Sequence, residues 1–104
     1  LNLGHTFAHA YEATKKYSKK LNHGEAVILG IISSARFSYK NNLLKRKDYE
    51  KILDHIRKLN IPLNLSNYFK KKDISLIIKY MKSDKKNSSS KIYWVIQHLD
   101  GVIY

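Results

Sequence analysis

The stretch from Gly24 to Lys40 decides the fold, and it reads GEAVILGIISSARFSYK. Its first two turns are apolar almost all round, which is typical of a helix that is buried on most sides. Glu25 lies in the first turn, where a negative charge interacts favourably with the helix dipole. Small residues follow, which allow another element to approach closely: Gly30, Ser33, Ser34 and Ala35. The stretch therefore predicts a buried helix.

Helices are also predicted on both sides of this segment. Residues 5–17, with Asn2 or Gly4 as the possible start, supply apolar surface, and Lys15 and Lys16 near the end suit a helix C-terminus. Residues 48–59 form an amphipathic pattern that Pro62 stops, because proline cannot continue a helix interior. Residues 73–82 begin at Asp73, whose side chain suits an N-cap. The inward-facing residues of this last helix are predicted to be Ile74, Ile77, Ile78 and Met81.

The end of the chain predicts a β-hairpin. Residues 91–97 are rich in β-branched and aromatic side chains, Asp100-Gly101 is a turn dipeptide, and residues 102–104 would form the returning strand. The predicted fold is therefore mainly α, with about four helices and a short terminal hairpin in one domain over residues 1–104. The chain begins at Leu1 rather than at a methionine, so we expect this domain to be part of a longer protein.

Charge and composition narrow the class of function. Twenty Lys and Arg residues against eight Asp and Glu give a net charge of +12, which makes a small basic nucleic-acid-binding module one alternative. The basic residues are nearly all lysines scattered at segment ends, which favours solvated faces and no nucleic-acid partner. No signal peptide opens the chain and no apolar run reaches ~18 residues, so we expect a cytoplasmic protein without a membrane partner.

The histidines are the strongest candidates for chemistry. The chain has no cysteine, so His, Asp and Glu are the side chains available to a transition metal. His5 and His9 lie four residues apart on one predicted helix face, and His23 comes just before the buried helix. Two or three of these imidazoles could close a zinc site, although this spacing also arises by chance. His55 and His98 lack such companions and are predicted to be structural.

Two further segments could bind an anion. Asn2 and Gly4 stand at a predicted helix start, where free N–H groups attract phosphate, although an ordinary Asn cap explains the same pattern. Lys85 and Lys86 precede a polar loop and could reach an anionic substrate, but lysine is abundant throughout this chain.

Three motifs together resemble those of the 3-dehydroquinate synthase family. They are LNLGHTFAHAYEA at residues 1–13, NHGEAV at residues 22–27 and DKK at residues 84–86. They occur in the family's order, at compatible spacings, and the resemblance covers essentially the whole chain. The first two motifs are specific, whereas the DKK motif is not specific by itself.

The resemblance implies a phosphate-eliminating lyase of the shikimate pathway, which leads to aromatic amino acids. Such enzymes convert 3-deoxy-arabino-heptulosonate 7-phosphate to 3-dehydroquinate and phosphate, using NAD and a divalent metal, usually zinc. An N-terminal α/β domain binds NAD, and a helical C-terminal domain carries most metal and substrate contacts. This chain resembles most of that C-terminal domain, so no NAD-binding residue is expected in it, and the isolated chain is expected to be inactive. Family members tend to be homodimers.

The resemblance also assigns roles to particular residues. His5 and His23 match the two histidine ligands of the metal, and the third ligand is a glutamate upstream of this chain. His9 matches a histidine that contacts substrate near the departing phosphate, and Asn2 matches a phosphate-binding asparagine. Lys85 matches a substrate-binding lysine, with the adjacent Lys86 as the alternative. The catalytic candidates are thus His9 and Lys85.

The sequence departs from the family pattern at position 8, and two other interpretations of its function stay open. Ala8 stands where a glycine is usual between the two histidines, and its methyl group affects close packing. Another sugar-phosphate cyclase, such as a 2-deoxy-scyllo-inosose or amino-dehydroquinate synthase, would share the histidine motifs. A catalytically inert stand-alone homologue is a further alternative, against which the missing initial methionine argues.

Overall fold

The computed structural model describes residues 2–15, 21–59, 64–83 and 89–103. These ranges contain the α-helices α1 (Asn2–Thr14), α2 (His23–Lys40), α3 (Arg46–Arg57), α4 (Ile74–Lys82) and α5 (Ser89–Ile103), with short 3-10 helices at Leu65–Asn67 and Lys71–Asp73. The mainly helical fold predicted from the sequence is therefore confirmed. None of the helices in these ranges is long and apolar enough to span a membrane.

The closest helix packing joins α1 and α2, which make the most extensive contact of any pair of elements in the described chain. A Cβ atom placed on Gly30 would lie 2.5 Å from the carbonyl oxygen of Gly4 and 2.8 Å from the amide nitrogen of Ala8. Farther along, the Tyr11 hydroxyl and Ser33 Oγ share a buried hydrogen bond of 2.6 Å. The small residues of α2 thus have the role that the sequence predicts, since they let the α1 backbone approach closely.

The core lies where α1 and α2 meet α4 and α5. Phe7 and Tyr11 of α1 are fully buried, and Tyr11 packs against Phe69 with a ring-centroid distance of 5.4 Å. The predicted inward face of α4 is confirmed, because Ile77, Ile78 and Met81 are buried. On α2 the prediction of burial on most sides is only partly right, since Ile31 is 44% exposed in the described structure.

The helix boundaries differ from the predictions at several ends. The first helix begins at Asn2, one of the two starts that the sequence allowed, and the structure assigns it as far as Thr14; the predicted end at residue 17 lies outside the described residues. The third helix is shifted towards the N-terminus, to Arg46–Arg57, and buries no residue completely. Asp73 does precede α4, but its carboxylate accepts a hydrogen bond from the Lys70 backbone N–H instead of capping α4.

The predicted terminal β-hairpin is wrong, because residues 89–103 form α5. The reason is visible in the spacing of the buried residues: Ile92, Val95 and Leu99 recur at three and four positions and cover one helix face. Trp94 and His98 are also four apart, and their rings stack with a centroid distance of 4.9 Å. β-branched and aromatic residues favour strands only weakly, and packing against the core overrides that preference here.

His98 should make stability depend on pH. Both of its ring nitrogens are buried without a hydrogen-bond partner in the described structure. Burial, reinforced by the charge of Arg36, lowers the pKa of His98 to about 4 from an ordinary 6.5. Because the folded state then binds fewer protons than the unfolded state, the free energy of unfolding should fall as pH drops from about 6.5 towards about 4.

Urea unfolding at neutral pH and at about pH 5 checks this expectation. His98→Phe keeps a flat ring against Trp94 but cannot titrate, so this variant should lose less stability over the same interval. An equal loss in the wild-type protein and the variant would contradict a role for His98.

Candidate functional site

One face of α1 presents three polar side chains. His5, His9 and Glu12 are spaced by four and three residues, so they lie one above another along the helix. The Nε2 atoms of His5 and His9 are 2.9 Å apart, which is hydrogen-bond distance, so one ring donates and the other accepts. Both histidines are exposed. The pairing predicted from the spacing of His5 and His9 is therefore present.

The N-terminus of α2 is fixed by a capping box. Asn22 Oδ1 accepts from the Glu25 backbone N–H at 2.8 Å, and the Asn22 backbone N–H donates to Glu25 Oε1 at 3.0 Å. The Tyr68 hydroxyl donates to Glu25 Oε2 at 2.8 Å. These hydrogen bonds, that from Asn22 first, lower the pKa of Glu25. Glu25 therefore stabilises the start of α2, two positions after His23.

A contact between the two helices links His23 to the α1 face. The Nδ1 atom of His23 lies 2.5 Å from Oε2 of Glu12, eleven positions away in the sequence. A carboxylate only accepts hydrogen bonds, so Nδ1 of His23 carries the proton. The neutral ring in this tautomer keeps its lone pair on Nε2. His23 is therefore held beside the face that carries His5 and His9.

A cavity of about 480 Å³ opens along this face of α1. His5, His9 and Glu12 line one side of it, and Tyr80 and Ser83 of the α4 end line another. A cavity of this size can hold a small ligand.

The other predicted site residues are placed as follows. Asn2 is the first residue of α1, but its side chain lies outside the described part, as do Lys85 and Lys86 entirely. Gly4 packs against α2, where an added Cβ would lie 3.6 Å from Ser34 Cβ. Among the described residues, no group of three or more His, Asp or Glu side chains is arranged to hold a metal. His5 and His23 therefore remain predicted ligands that the structure does not join into a complete site.

Sequence reasoning did not identify Glu12 as part of the site. A signal was present, because Glu12 is seven residues after His5 and three after His9, and these spacings lie on one helix face. The capping box was equally readable as Asn22 followed three residues later by Glu25. What the spacing did not give was the partner of Glu12, since His23 belongs to another helix.

Fold and site together define a helical domain that presents imidazoles and a carboxylate to an open cavity. The family model described as 3-dehydroquinate synthase C-terminal matches residues 1–87. The chain belongs to this family.

Relatives named 3-dehydroquinate synthase are similar to most of this chain. One from Pelagibacter ubique is 52% identical over 96 residues, which are 92% of this chain and 26% of the relative. One from Zymomonas mobilis is 38% identical over 92% of this chain and 25% of the relative. The chain thus spans about a quarter of the length of these curated relatives. No solved structure gives a significant match.

Proposed function

We propose that this chain is the C-terminal metal- and substrate-binding part of a 3-dehydroquinate synthase. The whole protein would convert 3-deoxy-arabino-heptulosonate 7-phosphate to 3-dehydroquinate and phosphate, a step of the shikimate pathway. The observation that carries the proposal is the hydrogen bond between Glu12 and His23, because it joins the second histidine motif to a residue that lines the same cavity as His5 and His9. The names of the relatives support the same activity.

The donor atoms suit a divalent metal such as zinc. Imidazole nitrogen is a common zinc ligand, and a ring whose second nitrogen donates to a carboxylate is the usual arrangement around such ligands. His23 has this arrangement through Glu12, and His5 lies on the same cavity-lining face of α1 as Glu12. A third ligand would come from a carboxylate in the upstream part of the protein. When bound, the metal would supply Lewis-acid polarisation of substrate oxygens, and NAD would supply a temporary oxidation.

The other proposed site residues of this chain would bind and orient the substrate. In the described structure His9 shares its Nε2 hydrogen bond with His5. As a metal ligand His5 would no longer share this bond, and His9 would be available to a phosphate oxygen. Asn2 and Lys85, or its neighbour Lys86, would contribute an amide and an ammonium group to the phosphate and carboxylate of the substrate. Holding the substrate in one orientation accounts for much of the rate enhancement in such a reaction.

The domain architecture follows from the same proposal. The upstream part of the protein would carry the NAD-binding α/β domain, and the full-length enzyme would be a homodimer. Residues 1–104 on their own would be inactive, since the third ligand and the NAD site lie elsewhere.

Phosphate release by the full-length protein tests this function. With NAD and zinc present, the protein should release phosphate from the heptulosonate phosphate and not from the substrates of the related sugar-phosphate cyclases. No release from the heptulosonate phosphate would refute the proposal, and release from another sugar phosphate alone would identify a different cyclase.

A further inference from the structure

We infer that Glu12 is the positioning residue of the metal site: its carboxylate fixes the tautomer and the ring orientation of His23. The inference rests on the proposed function, because it assumes that His23 is a ligand. It goes beyond that function because the resemblance to the family assigns no role to Glu12. Its basis is the 2.5 Å contact between Glu12 Oε2 and His23 Nδ1.

The geometry of this contact determines which nitrogen can bind metal. With Nδ1–H donated to the carboxylate, the lone pair of His23 is confined to Nε2, on the far side of the ring. A metal-bound imidazole normally donates its other N–H in this way, and the hydrogen bond also makes the ligand more basic. Glu12 is thus placed to fix the tautomer of His23 in the metal-free protein.

In this chain on its own, both side chains of the pair are open to water. The His23 side chain is 76% exposed and that of Glu12 is 42% exposed. An imidazole this open to water is free to change rotamer and tautomer unless a neighbour restrains it. Surface pairs of this kind contribute little to stability, so the contact is better explained by orientation than by folding energy.

The surroundings of Glu12 agree with this role. Glu12 lies on α1 and His23 is the first residue of α2, so the hydrogen bond spans the two helices. The capping box at Asn22 fixes the start of α2, and the close packing at Gly30 holds α2 against α1. Glu12 also lines the cavity together with His5 and His9, so its contact with His23 joins that histidine to the residues around the cavity.

The test uses the metal-free full-length protein, selectively labelled with nitrogen-15 on histidine. Chelator competition measures zinc affinity, and nitrogen chemical shifts report the His23 tautomer. Glu12→Ala should lower zinc affinity by roughly 10–100-fold and move the His23 proton from Nδ1 towards Nε2. The matched control is Glu50→Ala, which removes an exposed glutamate paired with Arg46 on α3 and should change neither quantity.

Each other outcome has a definite meaning. Unchanged zinc affinity in Glu12→Ala, while His23→Ala loses the metal, would overturn the role of Glu12 and leave the proposed function standing. Loss of zinc as complete as in His23→Ala would make Glu12 a ligand itself and overturn a positioning role. Wild-type zinc affinity in His23→Ala would overturn the proposed ligand set and this inference with it.

A second variant covers the case in which Glu12→Ala does not fold, as judged by circular dichroism. Glu12→Gln keeps the size of the side chain and a hydrogen-bond acceptor but removes the charge. It should still lower zinc affinity, by less than the alanine variant would in a folded protein. Wild-type affinity in a folded Glu12→Gln protein would then overturn the inference.

Discussion

Full-length protein carrying His23→Ala is expected to lose its bound metal and its phosphate-releasing activity together. A catalytic zinc site has about three protein ligands, so removing one leaves too few to retain the ion. His5→Ala should give the same result, because His5 is the other proposed ligand in this chain. Metal content after gel filtration, measured by atomic emission, and phosphate release are the two readouts.

His9→Ala is the matched control for these variants. His9 lies one turn from His5 on the same exposed face, and the two rings share a hydrogen bond. The proposal gives it a substrate contact rather than a metal bond, so the variant should keep its metal and lose turnover on the order of 10²-fold. Retained zinc in both His5→Ala and His23→Ala would refute the ligand assignment. Loss of zinc in His9→Ala would move this histidine into the ligand set.

The largest stability effect is expected from Gly30→Ala. A Cβ atom there would approach backbone atoms of Gly4 and Ala8 at 2.5 and 2.8 Å, and it would also lie 3.0 Å from Ala8 Cβ. Backbone cannot rotate away as a side chain can, so α1 and α2 must move apart. Overpacking of this kind destabilises proteins by roughly 1–3 kcal/mol, which exceeds the intrinsic helix preference of alanine over glycine. The measurement is urea unfolding monitored by circular dichroism.

Gly101→Ala provides the same substitution in an open position. Gly101 lies in α5, and a Cβ atom there would meet nothing within 4 Å in the described structure. Only the helix preference then acts, so this variant should be more stable by about 0.5–1 kcal/mol. The two alanine variants should therefore shift the unfolding midpoint in opposite directions. A neutral or stabilising Gly30→Ala would contradict the close packing of α1 on α2.

Moving α1 and α2 apart in the Gly30→Ala variant should also change the geometry of the candidate site. Glu12 belongs to α1 and His23 to α2, so separating these helices lengthens the hydrogen bond between them. A folded Gly30→Ala protein would then show reduced metal affinity without any change in a proposed ligand. This coupling distinguishes Gly30 from the exposed glycine at position 101.

The sequence was sufficient for most of the helices because their patterns are local. Ile77, Ile78 and Met81 recur at helical spacing, and the structure buries all of them. The pairing of His5 with His9 is equally local, since a spacing of four residues brings two side chains together on any helix. The family motifs around these histidines also lie within short segments, which is why they identify the family without a structure.

The tertiary structure decided what depends on neighbours. The segment at 89–103 has residues that suit a strand, and it became a helix because Ile92, Val95 and Leu99 bury one face in the core. Sequence periodicity likewise could not predict that Glu12 contacts His23, because His23 lies at the start of another helix. The sequence by itself therefore determined the helical class and the pairing of His5 with His9, while the ligand roles of His5 and His23 stay predictions. Only the packing of α2 on α1 brought His23 to Glu12, because contacts between helices depend on how whole faces fit and not on spacing along one of them.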